Sequence, residues 1–246
     1  MKRSSKEIKR ISRDILNDRY SVPMGAFVAA SFIPLVIEIP FSMSMNTTPS
    51  TSQMIITLLA EFLISLVAFV LSAGVTLVHL NMTRNQEFKV MQIFSPFRQR
   101  TENYFGAGFL TALLFFVGML PVLGGLLFSY FSDDSIASRI VLVATAVISV
   151  ILDFYLLLTY NFVSFLLLDN PQLGIISAFK ECRLLMKNNR RRLLYLLFSF
   201  IGWDALTLCS FGIASLWVAP YKNQTFVIFY MDCTGELDYI PVRQYT

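Results

Sequence analysis

Residues 169–192, DNPQLGIISAFKECRLLMKNNRRR, carry six of the chain's twenty lysines and arginines and lie between two long apolar runs. The same arrangement recurs upstream. Residues 1–21 and 81–106 bring the total in these three short stretches to seventeen, and apolar sequence alternates with them. Lysine and arginine concentrated in short loops between apolar runs mark a polytopic membrane protein whose basic loops stay in the cytoplasm.

Composition points the same way. Of the 246 residues 55% are hydrophobic, 23 are phenylalanine and only 15% are charged, against about a quarter charged in soluble domains. That leaves little room for a separate soluble domain, so residues 1–246 read as a single integral membrane domain. The net charge of +4 is accounted for by topogenic signals and by contact with anionic headgroups, so no nucleic-acid partner is expected. Cys182, Cys209 and Cys233 lack paired spacing and read as free thiols. About twenty polar residues precede the first apolar run. Ala29, Ala30 and Ser31 only faintly resemble a cleavage site, so that run is expected to act as an uncleaved signal anchor.

Apolar runs long enough to cross about 30 Å of hydrocarbon cover about 22–41, 54–80, 107–131 and 140–168. The last apolar region, 193–231, is about twice one span. Ser210, Phe211 and Gly212 offer a turn near its middle, giving short spans at 193–209 and 212–231 and six in all. The alternative is five, with one long helix to Trp217 and an interfacial tail from Pro220, supported by Lys222, Asn223 and Gln224. The acidic tail, with Asp232, Glu236 and Asp238 against Arg243, orients weakly. Loop 42–53, SMSMNTTPSTSQ, has no charge and loop 132–138 carries only Asp133 and Asp134. Both belong outside, which places the N-terminus in the cytoplasm.

Three times, near residues 1, 84 and 173, a basic, partly amphipathic segment precedes a helical hairpin. In the first, Ser4 and Glu7 form a capping box, and Ile8, Ile11 and Ile15 line one face opposite Lys6, Lys9, Arg10 and Arg13. In the second, Phe88, Ile93, Phe94 and Phe97 accompany Lys89, Arg98 and Arg100. In the third, Ile175, Phe179, Cys182 and Met186 form one stripe and Lys180, Arg183, Lys187 and Arg190 a basic one. These segments are expected to lie along the inner leaflet as interfacial helices, the last basic stripe contacting headgroups or a membrane-protein partner.

Four carboxylates fall inside apolar runs, where a charge is costly: Glu38, Glu61, Asp153 and Asp204. They are candidates for one polar cavity suited to a proton or a cation, with Tyr155, Tyr160, Asn161 and His79 extending it inward. The competing reading has Glu38 and Asp204 snorkelling to the interface and Asp153 bonded to a neighbouring hydroxyl. A single histidine does not make a metal site, which commonly wants three or four ligands, so His79 reads as interfacial and no metal or cofactor is expected. Gly74, Gly118, Gly124, Gly125 and Gly212 permit close helix packing, and Pro34, Pro40, Pro121 and Pro220 mark kinks or ends. Trp203, Trp217 and Tyr221 read as an outer aromatic belt. No nucleophile elbow, Walker loop, paired-histidine motif or dinucleotide fingerprint is present, so no enzyme is expected.

Ala178, then Leu185, Met186 and Lys187, then LFSFIGW at 197–203, GIASLW at 212–217, Pro220, Tyr221, Thr225, Phe229 and Tyr230 resemble the pattern of the bacterial membrane family called domain of unknown function 975. The N-terminal amphipathic helix ending near Leu16 and Asn17 fits it too. Asp204, Cys182 and the acidic tail depart from that pattern. The resemblance implies a multi-pass bacterial inner-membrane protein and supplies no activity or functional residues. The expected architecture is an all-α polytopic transmembrane helical bundle with basic amphipathic interfacial helices on its cytoplasmic side. The leading functional expectation is a non-enzymatic accessory, scaffold or self-protection factor. The alternative is a proton-coupled transporter or channel-like protein using the four carboxylates. Oligomeric state is left open.

Overall fold

A computed structural model describes residues 2–43, 50–132 and 135–239. Asp133, Asp134, Arg243 and residues 44–49 of the uncharged loop 42–53 lie outside the described residues, so the orientation read from those loops rests on sequence. The described chain is helical and contains no strand. Its helices are α1 (Ser5–Leu16), α2 (Ser21–Met43), α3 (Thr51–Thr83), α4 (Thr101–Phe131), α5 (Ile136–Tyr160), α6 (Val163–Asp169), α7 (Ile175–Met186), α8 (Arg190–Phe198), α9 (Ile201–Cys209) and α10 (Ser215–Thr234), with a 3-10 segment at Val90–Phe97 before α4. The threefold order expected from the basic segments is visible in this succession. α1 precedes α2 and α3, the 3-10 segment precedes α4 and α5, and α7 precedes α8–α9 and α10.

Five stretches are long and apolar enough to cross a membrane: Ser21–Phe41, Thr51–Thr83, Thr101–Phe131, Ile136–Asp169 and Arg190–Cys209. The segment expected as a sixth span, α10, has 20 residues, about 30 Å of length. Its middle carries Lys222, Asn223 and Gln224, which lower its apolar character, yet Val218, Tyr221, Gln224 and 227–231 are buried inside the bundle. The turn before it falls where expected, with Phe211 at φ 52° and Gly212 at φ 88° in the left-handed region. Much of α10 after Pro220 is therefore packed in the bundle, while the number of stretches long and apolar enough to span is the five of the alternative reading.

Ion pairs fix where α10 ends. Arg84, just past α3, donates through Nε and Nη2 to Glu236 at 2.6 and 2.8 Å. It also donates to Asp169, at the end of α6, at 2.8 Å. Arg3 and Arg192 both reach Asp232. Thus the N-terminal arm, the ends of α3, α6 and α10 and the start of α8 share one end of the bundle, called here the basic end. The chain leaves that end and returns to it three times.

Close approach is built from small residues. A Cβ on Gly74 would collide with the backbone of Ile93, so glycine lets the 3-10 segment lie against α3, where Ile93 is fully buried beside Ala26, Leu71 and Val78. On α4, Gly118 and Gly125 face Asp153 and Thr145 of α5. Between them Pro121 disturbs the helical ladder, and the Val122 N–H donates to Ser149 Oγ at 3.0 Å. Gly124 has open space where a side chain would be.

The amphipathic helices meet protein. Ile8, Ile11 and Leu16 of α1 are buried in the main core, as are Ala178, Phe179, Cys182 and Met186 of α7. The stripes were legible, but their apolar faces are covered by neighbouring helices rather than left for lipid. Ser4 caps α1 by accepting from the Glu7 N–H at 3.3 Å, while the Glu7 carboxylate lies 3.9 Å from Arg3. Lys9 donates to the Ser199 carbonyl at 2.8 Å, where the chain breaks between α8 and α9, and sits 4.3 Å from the centre of the Phe200 ring. Burial beside Ser199, with Arg13 nearby, lowers the Lys9 pKa. Tyr221, expected in an aromatic belt, is instead buried against Phe200 and Trp203.

Candidate functional site

Most polar groups in the core are locked to one another. His79 is fully buried, contrary to the interfacial expectation. Its Nδ1 lies 2.8 Å from Gln224 Oε1, and Gln224 Nε2 donates to Thr83 Oγ1 at 2.7 Å. At the basic end Asp232 accepts from the Arg3 backbone and guanidinium at 3.3 and 3.2 Å and from Arg192, whose Nη2 also donates to the Arg3 carbonyl at 2.8 Å. Tyr230 donates to Asp169 at 2.6 Å. These groups hold the fold, and among them His79 Nε2 is buried without a hydrogen-bond partner.

The basic stripe of α7 is different. Lys180, Arg183 and Lys187 are exposed, and together with Arg190, Tyr155 and Leu184 they line a groove of about 500 Å³. None of these four cations pairs with a carboxylate among the described residues. Arg190 lies 4.6 Å above the Tyr155 ring, a cation–π distance. Its Nε is buried without a hydrogen-bond partner. A concave surface lined by four uncompensated cations is suited to anions.

The four intramembrane carboxylates occupy four settings. Glu38 on α2 and Glu61 on α3 are exposed. Asp153 faces Gly118, with its Oδ1 buried and unpartnered. Asp204 on α9 accepts two bonds from Lys222, at 2.8 and 3.0 Å. Among the described residues no three His, Cys, Asp or Glu side chains gather as a metal would require. None of the four carboxylates lines the large cavity between the membrane helices.

That cavity lies between α2, α3, α6 and α10 and measures about 540 Å³. Ser31, Ser72, Thr76, Asn161, Ser164 and Asn223 supply its polar lining, and Phe27, Phe165 and Phe226 its aromatic one. No charged residue contributes. Asn161 belongs to the polar path expected from sequence, whereas the hydroxyls of Ser31, Ser72, Thr76 and Ser164 do not. The four-residue spacing of Ser72 and Thr76 is the signal that this pair shares a face of α3, whereas Asn161 lies in the turn before α6, which carries Ser164.

All three cysteines are free, as expected. Cys182 donates to the Thr159 carbonyl at 3.2 Å. Burial raises its pKa to about 12, and that of Cys233 to about 11, so neither is a ready thiolate.

A bundle of long apolar helices whose loops gather their charge at one end is a polytopic helical membrane protein. Residues 1–236 match the family described as protein of unknown function (DUF975), and the chain belongs to that family. No curated protein and no solved structure matches it.

Proposed function

We propose that this chain is a non-enzymatic accessory or scaffold protein of the bacterial cell membrane, with its N-terminus and basic end in the cytoplasm. In this reading it grips anionic lipid headgroups through the α7 groove. The observation that carries the reading is the contrast between Arg3, Arg84 and Arg192, all consumed by carboxylates, and Lys180, Arg183, Lys187 and Arg190, which share one groove and no carboxylate. Each lysine or arginine close to an anionic surface contributes about 1 kcal/mol. The exposed apolar residues Ile151, Leu152 and Phe154 of α5 run up to Tyr155, so acyl chains can follow α5 while the phosphate sits among the cations.

The test uses full-length protein taken from native membranes after brief crosslinking. Wild type is compared with the triple variant Lys180→Gln, Arg183→Gln and Lys187→Gln. Wild type is expected to retain anionic phospholipid, and any stoichiometric protein partner, that the variant loses. Equal retention by both would sink the reading, as would displacement of the lipid by inorganic phosphate alone.

A further inference from the structure

We infer that the cavity between α2, α3, α6 and α10 binds an uncharged amphiphile whose headgroup carries hydroxyl or amide N–H groups, a neutral glycerolipid of the diacylglycerol type. Three independent features converge there.

The first is unmet hydrogen bonding within membrane-spanning sequence. The side chains of Ser31, Asn161, Ser164 and Asn223 make no hydrogen bond within the described protein. Ser72 and Thr76 spend their protons on the carbonyls of Phe69 and Ser72, at 2.8 and 3.0 Å, and so offer the cavity only lone pairs. Pro34 has no N–H to give to the carbonyl of Ala30, and both residues line the cavity. The lining therefore offers free donors on Ser31, Asn161, Ser164 and Asn223 together with a surplus of acceptors, and suits a ligand whose headgroup both donates and accepts, as a hydroxyl beside ester carbonyls does.

The second feature is a broken helix. The apolar run Ile136–Asp169 is interrupted at Asn161 and Phe162, between α5 and α6. Non-helical backbone at membrane depth persists only where it is buried in protein or borders a polar cavity. Here Asn161 and Ser164 place the break on the cavity wall.

The third is the absence of charge from a lining that still holds six polar side chains and three aromatic rings. A buried ion without a partner is heavily penalised, which excludes phosphate and ammonium headgroups. Phe27, Phe165 and Phe226 give apolar walls on which a glycerol backbone can lie. Ser31 is exposed on α2, as are Phe32 and Leu35 beside it, so the acyl chains can leave into the surrounding lipid. A volume of about 540 Å³ falls within the usual range of about 300–1,000 Å³ for small-molecule sites.

This site is separate from the α7 groove and does not depend on it. The test reconstitutes the full-length chain in nanodiscs of phosphatidylcholine and crosslinks it to a photoactivatable diacylglycerol, with adducts mapped by peptide mass spectrometry. Adducts are expected on α2, α3 and α10 at the lining residues, with unlabelled diacylglycerol competing and phosphatidic acid not competing. The double variant Asn161→Leu and Asn223→Leu keeps side-chain bulk, removes both amides, and should lower the yield at least ~10-fold, as loss of one or two hydrogen bonds implies. Ala68→Phe fills the cavity from α3 without touching either amide and should do the same. Arg183→Gln should change nothing, which separates this result from the headgroup reading. Unchanged yield in both cavity variants, adducts spread over α4 and α5, or equal competition by phosphatidic acid each overturns the inference.

Discussion

Replacing Asp232 by alanine should destabilise the fold far more than replacing Asp204, although both carboxylates are ion-paired on the last helices. The Asp232 side chain is 1% exposed and receives bonds from Arg3 and Arg192; that of Asp204 is 51% exposed and meets only Lys222. Removing one member of a buried pair costs about 3–5 kcal/mol because the remaining charge stays desolvated. The two arginines keep 21% and 22% of their side chains exposed, and Arg3 retains Asp238 at 2.9 Å. Water thus screens part of the loss, which brings the estimate to about 2–3 kcal/mol. A half-exposed pair such as Asp204–Lys222 is worth about 0.5–1 kcal/mol. At about 2–4 °C per kcal/mol for a chain of this size, Asp232→Ala should lower Tm by roughly 5–10 °C and Asp204→Ala by about 2 °C. Scanning fluorimetry in mild detergent reads both, and limited trypsinolysis should show the arm bearing Arg3 and Lys6 cut faster only in Asp232→Ala. Equal Tm losses, or a double-mutant cycle with Arg192→Ala that shows no coupling, would refute the argument.

Gly74→Ala should cost about 1–3 kcal/mol, the usual range for overpacking, because the new methyl meets the backbone of Ile93 rather than a side chain that can turn away. Gly124→Ala, in open space on the same kind of helix, should be neutral or stabilise by up to about 1 kcal/mol through helix propensity. Thermal unfolding of the two variants side by side checks this. In detergent at pH 7.5 a maleimide should modify the exposed Cys209 first and Cys233 slowly, and should leave Cys182 untouched until the chain unfolds. Prompt labelling of Cys182 would mean that α7 does not seal it against the Thr159 carbonyl.

Hydrophobic runs and loop charge revealed the helices and their common basic end, because desolvation acts locally along the chain. What each face meets was much less legible. The stripe of Ile175, Phe179, Cys182 and Met186 is the same pattern whether it covers lipid or another helix, and the structure shows protein. Lys222 and Gln224 lower the hydropathy of α10, yet the helix packs in the bundle because Gln224 is paired with His79 and Lys222 with Asp204, partners 145 and 18 residues distant that the local sequence does not announce. Sequence placed Glu38, Glu61, Asp153 and Asp204 within apolar runs but left open their direction about the helix axis. The acidic tail gave no orientation on its own, since its counter-charges lie at Arg3 and Arg84.

The clasp of Arg3 on Asp232 joins residues 229 positions apart. During synthesis the first helix must therefore wait. Ile8, Ile11 and Leu16 of α1 are made before α2–α9, but they pack in the same core as Val227, Ile228 and Tyr230 of α10, which is made after all of these. Until α10 is made, the apolar face of α1 lacks the helix it chiefly packs against, and the membrane surface suits its amphipathic composition. A helix that ends as an internal strut thus begins as a temporary membrane anchor, and assembly is completed only when α10 arrives to replace the lipid beneath it.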